Sequence, residues 1–198
     1  MRLLSAAPGG QGKTRLLAAL ALRWPGPILV WDRSGDLARE GLPGRARRLG
    51  AEVGAKALAL AMLDVPAGGL VVIDEAHHLI GASDRAHAGT DGHRAHPVLR
   101  VLSLCRNLGI SFVLATQQPT LIPPHVGNLC AALAVGAYGV PSTRAWIQAA
   151  GFDAAPVPAL HPTKGYLLEW VVGRPGEAAQ CVPSDLTAAW LMDREACA

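Results

Sequence analysis

Asparagine occurs only at positions 107 and 128 of this 198-residue chain, and lysine three times against fifteen arginines. Scarce Asn with plentiful Pro is a bias of heat-adapted proteins. GC-rich coding produces the same bias, so it fixes no function. Charged residues make up only 17% of the chain, with a net charge of +3. That balance is compatible with a nucleic-acid partner but does not argue for one. The four cysteines, Cys105, Cys130, Cys181 and Cys197, form neither a CxxC pair nor a regular framework. They read as reduced, mostly buried thiols of a cytoplasmic protein. The longest apolar stretch, Leu16 to Trp31, is interrupted by Arg23, Pro25, Gly26 and Pro27. It cannot be a single membrane helix of about 20 apolar residues. A secretory leader is not expected either, because the apolar N-terminal run is short and has no cleavage region.

What the chain does have is 51% hydrophobic residues, arranged as short unbroken runs that alternate with helical patterns. Strands covered on both faces read this way. The expected strands are Arg2–Ala6, Ile28–Asp32, Leu70–Asp74, Ile110–Thr116 and Leu129–Val135. A terminal hairpin is expected from Gly165–Val172 and Glu177–Val182. Helices are expected over Lys13–Arg23, Ala51–Leu63, Val98–Leu108 and Ser142–Ala150, with a last helix capped by Ser184 and running to about Arg194. Residues 33–50 and Gly81–Pro97 read as loops, the former with at most one helical turn. Glu75–Ile80 reads as a helical turn. Strands separated by helices imply an α/β fold with a mainly parallel central sheet flanked by helices. The whole chain, 1–198, reads as one domain, with a motif core over about 1–140 and the hairpin and last helix beyond it.

Three stretches carry chemistry. The first is "APGGQGKT", between a strand and a helix. Pro8 opens the loop, and backbone N–H groups of Gly9-Gly10-Gln11-Gly12-Lys13-Thr14 can face phosphate oxygens at a helix start, with Arg15 following. Lys13 would reach the β- and γ-phosphates of ATP, and Thr14 would hold Mg²⁺. The second is "LVVIDEAHHL". Its strand ends in two carboxylates, with Asp74 suited to Mg²⁺ through water and Glu75 to polarising the water that attacks the γ-phosphate. The third is "CRNLGISFVLATQQP". Gln117 follows the strand and can bond the γ-phosphate or the lytic water. Arg106 precedes the strand, at an end of the sheet from which its own nucleotide is hard to reach and a neighbouring subunit's could be reached. It is the first candidate for an arginine finger in trans, and Arg100 is the second.

These three stretches resemble the Walker A, Walker B and Gln-bearing strand motifs of the FtsK–HerA superfamily of DNA-pumping ATPases. Arg106, Gly109, Ile110, Ala115, Thr116, Gln117 and Pro119 match the third motif, while Gln118 stands where an Arg is common. In its small size the chain is most similar to the minimal genome-packaging ATPases of membrane-containing, tailless icosahedral viruses. The resemblance implies a RecA/ASCE-like P-loop NTPase domain in a homo-oligomeric ring, expected to be a hexamer. It also implies ATP hydrolysis that drives double-stranded DNA into a capsid, with capsid or portal-vertex proteins as partners. No barrel or membrane anchor is expected before the first strand. Location would be cytoplasmic or at a virion vertex.

DNA contact is expected from Arg85 and Arg94 in the second loop and from Arg45 and Arg47 in the first, as weak phosphate contacts without base reading. His77, His78, His87, His93 and His96 fit no zinc spacing, and adjacent His77 and His78 are expected to face different sides of a helix. Two other readings stay open. A nucleoside or small-molecule kinase would have a similar loop and size, and an assembly subunit would bind ATP without pumping. "DEAH" also occurs in a helicase class, but that class needs two motor domains.

Overall fold

The computed structural model describes residues 1–80, 96–136, 138, 141–157, 169–183 and 187–193. Arg85, Arg94, His87, His93, Ser184, Arg194 and Cys197 lie outside the described residues. The elements run β1 Arg2–Ala6, α1 Lys13–Arg23, β2 Ile28–Trp31, α2 Asp36–Glu40, β3 Ala46–Leu49, α3 Ala55–Leu63 and β4 Leu70–Ile73. They continue with α4 Pro97–Leu104, β5 Ser111–Thr116, β6 Ala132–Val135, α5 Pro141–Ala149, β7 Glu169–Gly173, β8 Gln180–Pro183 and α6 Thr187–Asp193. Short 3-10 turns occur at Ala76–His78, Pro119–Leu121 and Pro124–Leu129.

The eight strands form one sheet in the order β3-β2-β4-β5-β1-β6-β7-β8. β1 to β6 pair in parallel, and β7 and β8 close one side as an antiparallel hairpin. β1, β2, β4, β5 and β6 carry almost nothing but buried residues because both faces are covered. Alternate side chains point to opposite faces. Leu29, Trp31, Val71 and Ile73 join Leu58, Met62 and Leu102 of α3 and α4 on one face. Ile28, Val30, Leu70 and Val72 join Leu16, Leu17 and Leu20 of α1 and Leu191 of α6 on the other. Each such Leu contributes about 1.5–3 kcal/mol on burial.

The structure differs from the sequence reading in three places. Residues 33–50 hold α2 and β3 rather than a loop. β3 is an edge strand whose Arg47 and Arg48 are exposed, so it has no apolar run to announce it. What makes it a strand is its pairing with β2, Ile28 opposite Ala46 through Trp31 opposite Leu49. Cys181 is exposed, whereas Cys105 and Cys130 are buried as expected. The helices α3 and α4 are also shorter than their patterns. α3 begins only at Ala55, after Gly54, and α4 ends at Leu104 ahead of a turn that Gly109 closes at φ +66.

Candidate functional site

The sheet brings the three motifs together through register. β5 lies between β1 and β4, with Ala6 opposite Thr116 and Ile73 opposite Leu114. The residues just past these strand ends are the loop at 8–14, Asp74-Glu75 and Gln117. They therefore share one edge of the sheet, and they line a cleft of about 390 Å³.

The loop owes its shape to glycine. Gly10 and Gly12 have φ of +76 and +81, a region L-residues rarely adopt. Gly9 leaves room for Gln117, since a Cβ there would stand 3.2 Å from Gln117 Oε1. Gly12 is the N-cap of α1, whose first turn has neither a side-chain cap nor an acidic residue. Its N–H groups thus remain suited to an anion. Lys13 is buried and donates from Nζ to the Pro8 carbonyl at 3.2 Å. Burial lowers its pKa, while Glu75 and then Asp74 pull it back up. Gly10, Gly12, Thr14 and Arg15 line the cleft, and Arg15 Nε lies 3.8 Å from Glu40 Oε2.

Asp74 is 2% exposed. Burial first, then the charge of Glu75, pushes its pKa up to about 7. Its Oδ1 accepts the Glu75 N–H at 3.0 Å. Glu75 is the one described non-glycine residue with a positive φ, at φ 48 and ψ 48. A strained backbone next to the buried carboxylate of Asp74 points to function. The Glu75 side chain meets the residue that follows β5. Gln117 Nε2 donates to Glu75 Oε1 at 2.5 Å, and Gln117 N donates to Oε2 at 3.3 Å. Tyr138 Oη in turn donates to the Gln117 carbonyl at 3.2 Å.

Several cleft groups were not singled out from sequence. Ser34, Asp36 and Glu40 reach the cleft on and beside α2. His77 and His78 also line it. The two histidines sit on a 3-10 turn with ring centroids 4.1 Å apart, rather than on different sides of a helix. His77 Nδ1 lies 3.3 Å from Glu75 Oε2 and 3.0 Å from Thr116 Oγ1. Among the described residues no group of three or more His, Cys, Asp or Glu could hold a metal. A hydroxyl from Thr14 and a carboxylate from Asp74 on the same cleft form instead the oxygen donor set that suits Mg²⁺ with phosphate and water.

The remaining candidates lie elsewhere. Arg106 is exposed in the turn between α4 and β5, at the start of β5 rather than its end. The six residues of β5 rise about 3.3 Å each, so the strand alone separates Arg106 by roughly 20 Å from the edge that carries Gln117. Arg45 is turned onto the end of α1: its guanidinium donates to the carbonyls of Ala21, Leu22, Trp24 and Gly26. Arg47 is exposed on β3. No helix among the described residues is long and apolar enough to cross a membrane.

By sequence, the chain matches no protein-family model and none of the curated proteins. By structure it is similar to the genome packaging NTPase B204 from Sulfolobus turreted icosahedral virus 2. In the complex of that protein with AMPPCP the TM-score is 0.68 at 13% identity, covering 91% of this chain and 95% of the other. In the complex with ATP-gammaS it is 0.64 at 13% identity, over 91% and 95%. The pCW3 conjugation coupling protein TcpA is similar with a TM-score of 0.54 and 16% identity, over 98% of this chain and 65% of the other. The strand–loop–helix at Arg2–Arg23, the mainly parallel eight-stranded sheet and these likenesses together show that the chain has the P-loop NTPase fold.

Proposed function

We propose that the chain is an ATP-hydrolysing motor that translocates double-stranded DNA and packages a genome into a preformed capsid. The observation that carries hydrolysis is the meeting of Lys13, Asp74, Glu75 and Gln117 on one cleft at the end of β1, β4 and β5. The loop and the start of α1 bind the phosphates, and Lys13 neutralises the β- and γ-oxygens. Thr14 and Asp74 would hold Mg²⁺, which supplies charge neutralisation on the phosphates when bound. Glu75 accepts a proton from the attacking water, and Gln117 turns its amide to the γ-phosphate. A small-molecule kinase has no need of a second carboxylate beside Asp74, and water must be oriented only in a hydrolase.

The DNA and capsid roles rest on fold-level analogy. The likeness to a genome packaging NTPase over 91% of this chain and 95% of that one supports them. A homo-oligomeric ring, with six subunits as the first expectation, would bring Arg106 of one subunit to a neighbour's cleft as an arginine finger. Arg47, together with Arg85 and Arg94, would touch DNA phosphates.

The test is steady-state ATPase activity with and without DNA. We expect Mg²⁺-dependent turnover, stimulated by double-stranded but not single-stranded DNA, and lost in Lys13→Ala and Glu75→Gln. Transfer of phosphate to a small acceptor faster than to water would replace this reading with a kinase. Binding of ATP with negligible turnover, DNA present, would replace it with an assembly subunit. For the trans finger, inactive Arg106→Ala protein should regain turnover when mixed with Glu75→Gln subunits. Absence of rescue in mixed assemblies excludes the finger.

A further inference from the structure

Glu75 has two carboxylate oxygens with different holders. Among the described residues, Oε1 accepts only from the Gln117 side chain, at 2.5 Å. Oε2 is held by the Gln117 backbone N–H at 3.3 Å and faces His77 Nδ1 at the same distance. The first hold can be exchanged, because an amide on a rotatable side chain can turn to a phosphate. The second cannot move without moving β5 or the histidine ring.

That ring is fixed. His77 is 7% exposed, sits on the turn directly after Glu75, and has its Nδ1 3.0 Å from Thr116 Oγ1 at the end of β5. The His78 ring packs beside it with centroids 4.1 Å apart. Nδ1 hydrogen-bonds with Thr116 Oγ1 and stands in contact with Oε2 at 3.3 Å; a carboxylate only accepts hydrogen bonds, so the tautomer with its proton on Nδ1 is the one that makes this contact attractive. Thr116 Oγ1 then shares the same N–H while also accepting the Gln118 N–H at 3.0 Å. Burial, His78, Arg33 and Lys13 favour the neutral ring, against the pull of Glu75.

We propose that His77 is the positioning residue of Glu75: its Nδ1–H pins Oε2 so that Oε1 is the oxygen released when Gln117 turns to the γ-phosphate. This rests on the reading of the cleft as a hydrolytic site. In the step it serves, the water oxygen bonds to the γ-phosphorus and the bond to the β–γ bridging oxygen breaks. Its electron pair leaves on ADP, and one water proton passes to Oε1. His77 touches neither water nor phosphate. It acts by fixing which oxygen of Glu75 faces them.

The experiment compares His77→Ala, His77→Asn and His77→Gln in the full chain with wild type and Glu75→Gln, by steady-state ATP hydrolysis and thermal melting. In His77→Ala, kcat should fall about tenfold or more, part of the 10²–10⁴ that a positioned base supplies, with KM for ATP within about twofold. His77→Asn places an amide N–H where Nδ1 was and should recover most of the loss. His77→Gln moves the amide to the Nε2 position and should not. If His77→Ala fails to fold, the Asn and Gln variants decide. Equal kcat in these two, or wild-type kcat in His77→Ala beside an inactive Glu75→Gln, overturns the assignment and leaves the hydrolytic reading standing. Equal turnover in wild type and Glu75→Gln removes that reading, and the His77 role falls with it.

Discussion

Replacing Asp74 by Asn should make the ligand-free protein more stable at neutral and alkaline pH while removing its turnover. Asp74 is buried among like charges and holds its proton up to about pH 7, against 3.8 for an ordinary Asp. An acid with a raised folded-state pKa binds its proton more tightly in the folded chain. Stability therefore falls as pH rises from about 4 to about 7 and is level above that. Each pH step across that window costs about 1.4 kcal/mol. Ionising Asp74 at pH 8 thus costs up to about 4 kcal/mol, and at pH 5 somewhat under 2 kcal/mol. Asparagine stays neutral throughout and its Oδ1 still accepts the Glu75 N–H that Asp74 accepts at 3.0 Å. The stability gap between Asp74→Asn and wild type should widen by about 2–3 kcal/mol between pH 5 and pH 8. Urea unfolding of both proteins at the two pH values, without nucleotide or Mg²⁺, measures it. A variant no more stable than wild type at pH 8, or a gap equal at both values, refutes the account of Asp74 as a buried carboxylate ionised at a cost that its ligands repay.

Two further outcomes test the frame around the site. Arg45→Ala should lose about 1 kcal/mol by urea unfolding, since it uncaps the last carbonyls of α1, and should leave DNA-stimulated turnover unchanged. Lost stimulation with unchanged stability would show that Arg45 serves DNA instead. Gly127→Ala should cost about 1–3 kcal/mol, because the added Cβ would stand 2.4 Å from Ala150 Cβ. At about 2–4 °C per kcal/mol for a chain of this size, the melting point should drop by several degrees. An unchanged melting point would show that α5 yields without cost.

The phosphate loop and the strands β1, β2, β4 and β5 were legible because each is a local pattern: a glycine-rich turn, or an apolar run between breakers. α2 and β3 were not. β3 is strand by virtue of its pairing with β2, and its sequence, Ala46-Arg47-Arg48-Leu49, carries no period. With α2 unread, Asp36 and Glu40 could not be assigned to the cleft. The His77–Thr116 contact spans 39 residues, and follows only from the placing of β5 beside β4 with Ile73 opposite Leu114. Strand order is a non-local choice that no window of sequence displays. The type of each group brought to the cleft was therefore readable, and its holder was not.

Glu75 offers a test of whether the site was shaped against stability. Its φ of 48 lies in the left-handed region, where a Cβ costs about 1–2 kcal/mol and glycine pays nothing. In ordinary backbone Gly is less stable than Ala by about 0.5–1 kcal/mol, because it loses more chain freedom on folding. At position 75 the order should reverse. Both Glu75→Ala and Glu75→Gly remove the carboxylate and its bonds to Gln117, so their difference isolates the backbone. Glu75→Gly should be the more stable by about 1 kcal/mol, measured by urea unfolding without ligands, and both should be inactive. If Glu75→Ala is the more stable, the turn relaxes freely once the carboxylate is gone. The bonds from Gln117 would then be what force the backbone into the left-handed region, rather than the course of the chain from β4 into the 3-10 turn.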